Sequence, residues 1–420
     1  MSGKDSSPFF RETRAGMRCE GVPLSALARR HGTPLYVVSS AALRSAASEL
    51  TRAFGGFNPL LCYAVKANPS LAVIRLLARA GFGAEVVSGG ELYRALKAGV
   101  APRKIVFSGV GKTAGEMAAG LSARVAMFNV ESEEELVELD AVARRMGVRA
   151  PVAIRVNPRV DAHTHRYITT GTSENKFGVD IGHAPSVFAL ASRLRGIELL
   201  GVHTHIGSQI TEPGPFVACA QKINQLVDRL ARSGIRLSAR NMGGGLGISY
   251  VPGRPRLDAS LLARALAPHL RAGPPQIIME TGRFLVGEAG ILLVRVLRVK
   301  HGQAKTFVVT DGAMTELIRP ALYEAHHEIV PVLARRGSRQ KVDVVGPVCE
   351  SADFLGLGRR LPPLREGDLL AVLGAGAYGS SMASNYNSRR RPAEVLVDGK
   401  RARITRKRDS MADLVRGETS

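Results

Sequence analysis

Between about residue 59 and residue 281 the chain repeats one pattern eight times: a short apolar, often β-branched run, a glycine-rich or polar loop, then a helical stretch. The runs are LLCYAVKAN (60–68), AEVVS (84–88), KIVFSG (104–109), VAMFNV (125–130), VAIRVNP (152–158), LLGVHTHIG (199–207), ARNMGGG (239–245) and QIIMETG (276–282). Between them lie amphipathic segments such as 70–81, 89–99, 131–147 and 215–234. Strands that alternate with helices pair in parallel through right-handed crossovers. Eight such units suit a closed (β/α)8 barrel of the TIM type, with an open doubly wound sheet as the competing arrangement.

After residue 285 the texture changes. GILLVRVLRVK (290–300), KTFVVTDG (305–312), KVDVVGP (341–347), LLAVLGAG (369–376) and AEVLVDG (393–399) read as strands with few long helices between them; the exception is ELIRPALYEAHHEI (316–329), which reads as a helix. The expected organisation is an α/β barrel over 39–285 followed by an antiparallel β domain, a β-barrel or sandwich, over 286–420. The segment 1–38 is expected to join that β domain through a strand within GTPLYVVS (32–39), with a helix over 40–54 leading into the barrel.

Composition narrows the partners. Hydrophobic residues make up 45% of the 420 and charged residues 22%, as in ordinary soluble proteins. Tryptophan is absent and aromatics reach only 5%, so no stacking platform for single-stranded nucleic acid is visible. The net charge of +22 comes mostly from scattered arginines, with local runs only at Arg389-Arg390-Arg391 and KRARITRKR (400–408). In the latter Arg401, Arg403 and Thr405 alternate with Ala402 and Ile404, the pattern of a strand with one wet face. The charge reads as a solvated basic surface that also attracts anionic small molecules, and no nucleic-acid partner is expected.

Four cysteines (Cys19, Cys62, Cys219, Cys349) without a CxxC pair argue against a disulfide framework and a zinc site and fit a reducing compartment. No apolar leader follows Met1 and no run approaches a membrane span, so a cytoplasmic protein without a membrane partner is expected.

The chemistry gathers where barrel chemistry sits, at the C-terminal strand ends. In order these carry Lys66, Ser88-Gly89-Gly90, Asn157, His203 and His205 with Gly207-Ser208, Gly243-Gly244-Gly245, and Glu280-Thr281-Gly282-Arg283. Lysine is rarely buried, so Lys66 at the end of an apolar strand either reaches solvent or is an activated amine of the kind that forms Schiff bases. The glycines let backbone N–H groups approach an anion, which suits a phosphate. A lysine, a carboxylate, an imidazole and a phosphate cradle on one rim suit pyridoxal 5'-phosphate (PLP), with Lys66 bonded to it and Glu280 keeping the pyridine nitrogen protonated. His203 and His205 also have the i, i+2 spacing of a metal pair, but the first strand offers YAVKAN where barrel metallohydrolases carry histidines, so no metal is expected.

YAVKAN, EVVSGGEL (85–92), HTHIGSQI (203–210), GGGLG (243–247), ETGR (280–283), IRPALY (318–323), CES (349–351) and GAYGSSMASNYNSR (376–389) together resemble the diaminopimelate decarboxylases. These are barrel-type PLP enzymes related to alanine racemase and ornithine decarboxylase. The resemblance runs from about 30 to 400, and 160–178 also resembles the family's active-site loop. It implies that Lys66 binds PLP, His205 stacks on its ring and Glu280 pairs with the ring nitrogen. Ser208, Gly245, Gly282 and Arg283 would serve the phosphate, with Arg283 also reaching the substrate. Arg319, Tyr323 and Glu350 would read the distal end of meso-diaminopimelate, and Tyr378 would contact cofactor and substrate. Cys349 would donate the proton after CO2 departs, across the interface of a homodimer. The implied reaction is decarboxylation of meso-2,6-diaminopimelate to L-lysine, the last step of lysine biosynthesis.

Three positions depart from the family pattern: Thr281 in place of proline, Glu85 in place of aspartate and Ala352 in place of glycine. The other readings are a related decarboxylase for another basic or carboxylated amino acid, a catalytically silent regulatory relative, and a basic nucleic-acid-binding protein. Intact Lys66 and Cys349 speak against the second, and the absence of a binding motif against the third.

Overall fold

The computed structural model describes residues 8–161 and 176–419, so most of the stretch 160–178 lies outside the described residues. The chain divides into two units, one formed by Ala46–Ile248 and Arg256–Phe284, the other by Met1–Ser45, Ser249–Pro255 and Leu285–Ser420.

The first unit is a closed parallel barrel. Its strands are β1 (Leu60–Ala64), β2 (Gly83–Val86), β3 (Ile105–Phe107), β4 (Met127–Val130), β5 (Ala150–Asn157), β6 (Ile197–His203), β7 (Ala239–Asn241) and β8 (Gln276–Thr281). Each pairs in parallel with the next, and β8 closes on β1 in the register Ile278↔Leu60 to Thr281↔Tyr63. Closure removes the free edges that an open doubly wound sheet would leave.

Several barrel helices begin at a side-chain cap. Ser88 accepts from Glu91 N at the start of helix Gly89–Ala98, Thr113 and Glu116 form a reciprocal capping box before Ala114–Ala123, and Ser132 accepts from Glu135 N before Glu133–Arg145. Inside the barrel Cys62, Val106, Met127, Ala153, Ala239 and Ile278 pack together as a buried apolar cluster. A filled interior leaves the strand ends as the place for polar chemistry.

The second unit is a mostly antiparallel sheet. Its strands are β9 (Gly290–His301), β10 (Thr306–Thr310), β11 (Ile329–Pro331), β12 (Gln340–Val345), β13 (Phe354–Leu361), β14 (Leu369–Val372), β15 (Ala393–Asp398) and β16 (Arg401–Arg406), joined by the N-terminal strand Leu35–Ser39. The strand Leu35–Ser39 lies between β9 and β15, and helix Ser40–Phe54 follows it directly. The first half of β9 is buried on both faces. Ile291 and Leu293 enter a cluster with Leu35 and Val37, while Leu292, Val294 and Val296 enter another with Tyr36. That is why the run reads as continuously apolar rather than alternating.

Two expectations change. The helix expected over 316–329 is only Arg319–Tyr323, because Glu324 turns left-handed at φ 52° and the chain resumes as strand β11. The strand in the basic run exists as β16, paired to β15 alone, but its Ile404 is 43% exposed, so the two faces are not divided into wet and dry. Two arginines, Arg391 and the strand's own Arg406, are held by Asp409. Its carboxylate accepts from Arg391 N and Nε and from Asn385 Nδ2 on one oxygen, and from Arg406 Nη2 at 2.7 Å on the other.

Candidate active site

Within the barrel unit Lys66 lies in the single turn Val65–Ala67 that follows β1. Its Nζ is 2.9 Å from both carboxylate oxygens of Glu85, which β2 carries in from the neighbouring strand. Glu85 is buried at 1% exposure, whereas the Lys66 side chain keeps 39%. Burial pushes the Glu85 carboxyl above the usual range; Lys66 pulls it back and Glu280 raises it further.

Glu280 is the penultimate residue of β8, with its carboxylate buried at the centre of a polar set. Its Oε1 accepts from Asn129 Nδ2 at 2.8 Å and from Asn241 Nδ2 at 2.6 Å, and His203 Nε2 lies 3.3 Å from Oε2. Burial opposes ionisation, but His203, Lys66 and the Asn241 amide outweigh it, and the group is held well below the usual carboxylate range. It therefore presents a fixed negative charge. Asn129 on β4 and Asn241 on β7 were not singled out in the sequence; the one signal is at Asn129, a polar amide inside the short apolar strand MFNV.

β6 ends at His203, so His203 and His205 are not two positions of one strand and do not form a facing pair. His205 Nδ1 instead accepts the backbone N–H of Gly244 at 3.1 Å, which leaves any ring proton to Nε2. His205 is half-buried, and its surroundings push its pKa well below 6.5, through burial first and then the Arg155 and Lys66 charges. The ring is a neutral imidazole.

The glycine loop and the 207–210 segment are laced together. Ile210 N donates to Gly245 O and Gly247 N to Ile210 O, each at 2.9 Å, and Glu280 N donates to Gly243 O at 2.7 Å. Gly245 has φ +101°, and a Cβ there would lie 2.4 Å from Gly207 O; at Gly244 it would lie 2.0 Å from Glu280 O. Only glycine permits this approach. Arg283, buried at the start of the short helix Arg283–Val286, donates from Nη2 to Ser208 Oγ at 3.0 Å. Gly282 lies between Glu280 and Arg283 in the chain. Asn157 uses Oδ1 to accept Arg159 N at 3.0 Å, closing a turn after β5.

These residues fit PLP. A crowded glycine cradle beside a buried arginine matches a phosphate, an accessible amine matches an aldehyde, and an ionised buried carboxylate matches a ring N–H.

The other expected residues belong to the sheet unit. Arg319 and Tyr323 begin and end the helix Arg319–Tyr323. The Arg319 guanidinium is buried, with Nη1 at 2.7 Å from His327 Nε2 and its centre 4.5 Å from the Tyr250 ring centroid. Cys349 and Glu350 are exposed; Cys349 N donates to Asn387 Oδ1 at 3.2 Å and Tyr386 Oη donates to Glu350 Oε1 at 2.6 Å. Tyr378 is half-buried with φ +56°.

The chain matches a family model described as pyridoxal-dependent decarboxylase, pyridoxal binding domain, over residues 40–287. It is 48% identical to a diaminopimelate decarboxylase of Pseudomonas aeruginosa over 96% of this chain and 97% of that protein. Among solved structures, diaminopimelate decarboxylase from Helicobacter pylori complexed with L-lysine superposes with a TM-score of 0.90 at 40% identity, covering 94% of this chain and 98% of that one. The enzyme from M. jannaschii in co-complex with L-lysine gives 0.94 at 37% identity, covering 100% and 99%.

Proposed function

The chain belongs to the diaminopimelate decarboxylase family, and from that premise we propose that it converts meso-2,6-diaminopimelate to L-lysine and CO2 with PLP as cofactor. The observation that carries this reading is the 48% identity sustained over 96% of the chain. The rim geometry supports it independently.

Bound at this rim, PLP would supply an electron sink for the pair left when a carboxylate departs as CO2. Lys66 would hold its aldehyde carbon, and Glu85 keeps the amine in place until then. Glu280, kept ionised by Asn129, Asn241 and His203, would hold a proton on the ring nitrogen. His205 offers a neutral ring as a flat surface, which costs no repulsion against a protonated pyridine. The Gly245 backbone, Gly282, Ser208 and Arg283 would bind the phosphate, and Tyr378 would contact cofactor and substrate.

In the reaction one C–C bond breaks, CO2 leaves, and the same carbon takes one proton. Cys349 Sγ is the proposed donor. The distal end of the substrate carries an ammonium and a carboxylate, which Glu350 and Arg319 match in charge, with Arg283 and Tyr323 alongside. Sites built from such charge-assisted contacts reject substrates that lack the group. The exposure of Cys349 and Glu350 supports a homodimer in which a second copy covers them. Free buried thiols at Cys19, Cys62 and Cys219 support a cytoplasmic setting; no helix among the described residues is long and apolar enough to cross a membrane.

Borohydride reduction of the holoenzyme followed by peptide mapping tests the assignment. The label should sit on the peptide containing Lys66, and Lys66→Ala should release no CO2 from meso-diaminopimelate. A label on any other lysine overturns it.

A further inference from the structure

β4 carries Asn129, which grips Glu280, yet its backbone pairing with β3 stops short of that residue. The register runs Val106↔Met127 and Phe107↔Phe128 and ends there, one residue before Ser108 and Asn129. On its other side β4 stays paired, with Asn129↔Ala153 and Val130↔Ile154 on β5. Past the end of the ladder, side chains close the gap between β3 and β4. Asn129 Nδ2 donates to Ser108 Oγ and to Glu280 Oε1, each at 2.8 Å, which uses both amide hydrogens.

The second closure is a buried cation. Lys112 follows β3, and its side chain is 1% exposed. Nζ donates to the carbonyl oxygens of Gly109 at 2.7 Å and Asn129 at 2.8 Å, and it lies 2.6 Å from Glu135 Oε1. An ammonium has three hydrogens, and three acceptors meet it. Two of them are backbone carbonyls, one after β3 and one on β4, so the ammonium does the work of a further rung. The third is a carboxylate. Glu135 stands in the first turn of helix Glu133–Arg145 and accepts Glu131 N with its other oxygen at 2.9 Å. The charge is balanced on the spot, so what Lys112 gives the rim is position.

We propose that Lys112 is a positioning residue for the decarboxylation: it bridges the ends of β3 and β4 beyond their last backbone pair and so sets the Asn129 amide that holds Glu280 toward the cofactor's ring nitrogen. This rests on the reading of Glu280 as the partner of that nitrogen. Lys112 acts through Asn129 and touches no reacting atom. Without the bridge the Asn129 backbone loses its tie to β3 and the grip on Glu280 loosens, so kcat should fall while KM for meso-diaminopimelate stays.

Removing Lys112 alone strands the Glu135 charge in the interior, which destabilises a protein whatever else the lysine does. The test therefore replaces both members, Lys112→Met with Glu135→Met, exchanging an ion pair for apolar side chains of similar length. The double variant should melt above Lys112→Met, because no charge is stranded, yet its PLP-loaded form should keep a kcat about tenfold to a hundredfold below wild type with KM within about twofold. In the apoprotein, hydrogen exchange read by mass spectrometry should quicken in peptides spanning 105–112 and 127–131 and match wild type over β6 and β7. In a Glu280→Gln background the double replacement should add almost nothing to the loss of kcat. If Glu280→Gln leaves kcat unchanged, the ring-nitrogen reading fails and takes this proposal with it. If Glu280→Gln lowers kcat while the double variant keeps it, or kcat recovers together with the melting temperature, or the two losses simply add, or exchange at the strand ends is unchanged, Lys112 only stabilises the fold and the role of Glu280 stands. Should the double variant not fold, Glu135→Gln, which breaks the same ion pair but leaves Nζ between the two carbonyls, must lower the melting temperature and keep kcat; a kcat lost in step with stability overturns the bridge.

Discussion

Replacing Gly245 with alanine puts a methyl carbon 2.4 Å from the Gly207 carbonyl oxygen, where an ordinary carbon–oxygen contact needs about 3.3 Å. The neighbour is backbone, so no side chain can swing aside. The loops must part by roughly 1 Å, against the Ile210 N–Gly245 O and Gly247 N–Ile210 O hydrogen bonds that tie them at 2.9 Å. Those bonds contribute about 1 kcal/mol each. The backbone at φ +101° adds strain of about 1–3 kcal/mol once a Cβ is present. If the cradle must be intact to hold the phosphate, a cost of about 2–5 kcal/mol falls on cofactor binding, a loss of about thirtyfold to a few thousandfold in affinity. Titrating apoenzyme with PLP by absorbance, beside thermal denaturation with and without cofactor, measures it. A Gly245→Ala protein that binds PLP within about threefold of wild type and melts at the same temperature would refute the assignment of the cradle.

Other consequences follow from the same geometry. Glu280→Gln keeps the shape that Asn129 and Asn241 grip but removes the charge, so kcat should fall by about a hundredfold or more while PLP stays bound; an unchanged kcat contradicts a ring-nitrogen role. Cys349→Ala should lose decarboxylation but retain cofactor, and mixing it with Lys66→Ala should recover part of the activity if a second copy supplies the thiol; no recovery despite demonstrated subunit exchange counts against a shared site. At Asp409 burial works against ionisation, but Asn385, Arg391 and Arg406 bring its pKa from 3.8 down to about 2. Because the folded value is the lower one, the stabilisation is complete above pH 4 and disappears as pH falls through that window. Asp409→Asn should therefore destabilise the neutral protein by roughly 1–2 kcal/mol and flatten the acid limb of its stability curve, measured by urea titration across pH.

The barrel was readable because its signal is repetitive: the apolar runs end in glycine or a polar group and amphipathic helical stretches follow them. The end of the helix at 324 was not readable. Nothing in Glu324 announces a left-handed turn, and the residues after Tyr323 keep helical spacing. His203 and His205 look equivalent in the sequence, but the strand stops between them, and only the fold assigns one to Glu280 and the other to Gly244. Lys66, Glu280 and the glycines could be found from residue type and position. Asn129 and Asn241 could not be given a role in this way, because their work is to hold the Glu280 carboxylate, and that depends on which strands become neighbours.

The most direct test is CO2 release measured side by side with meso-diaminopimelate, ornithine, arginine and lysine on the PLP-loaded protein. The account predicts turnover of meso-diaminopimelate to L-lysine, with kcat/KM for each of the other three lower by about a hundredfold or more, since none carries both distal charges. Faster release from ornithine, arginine or lysine, or no release from meso-diaminopimelate by a protein shown to hold PLP on Lys66, would contradict it.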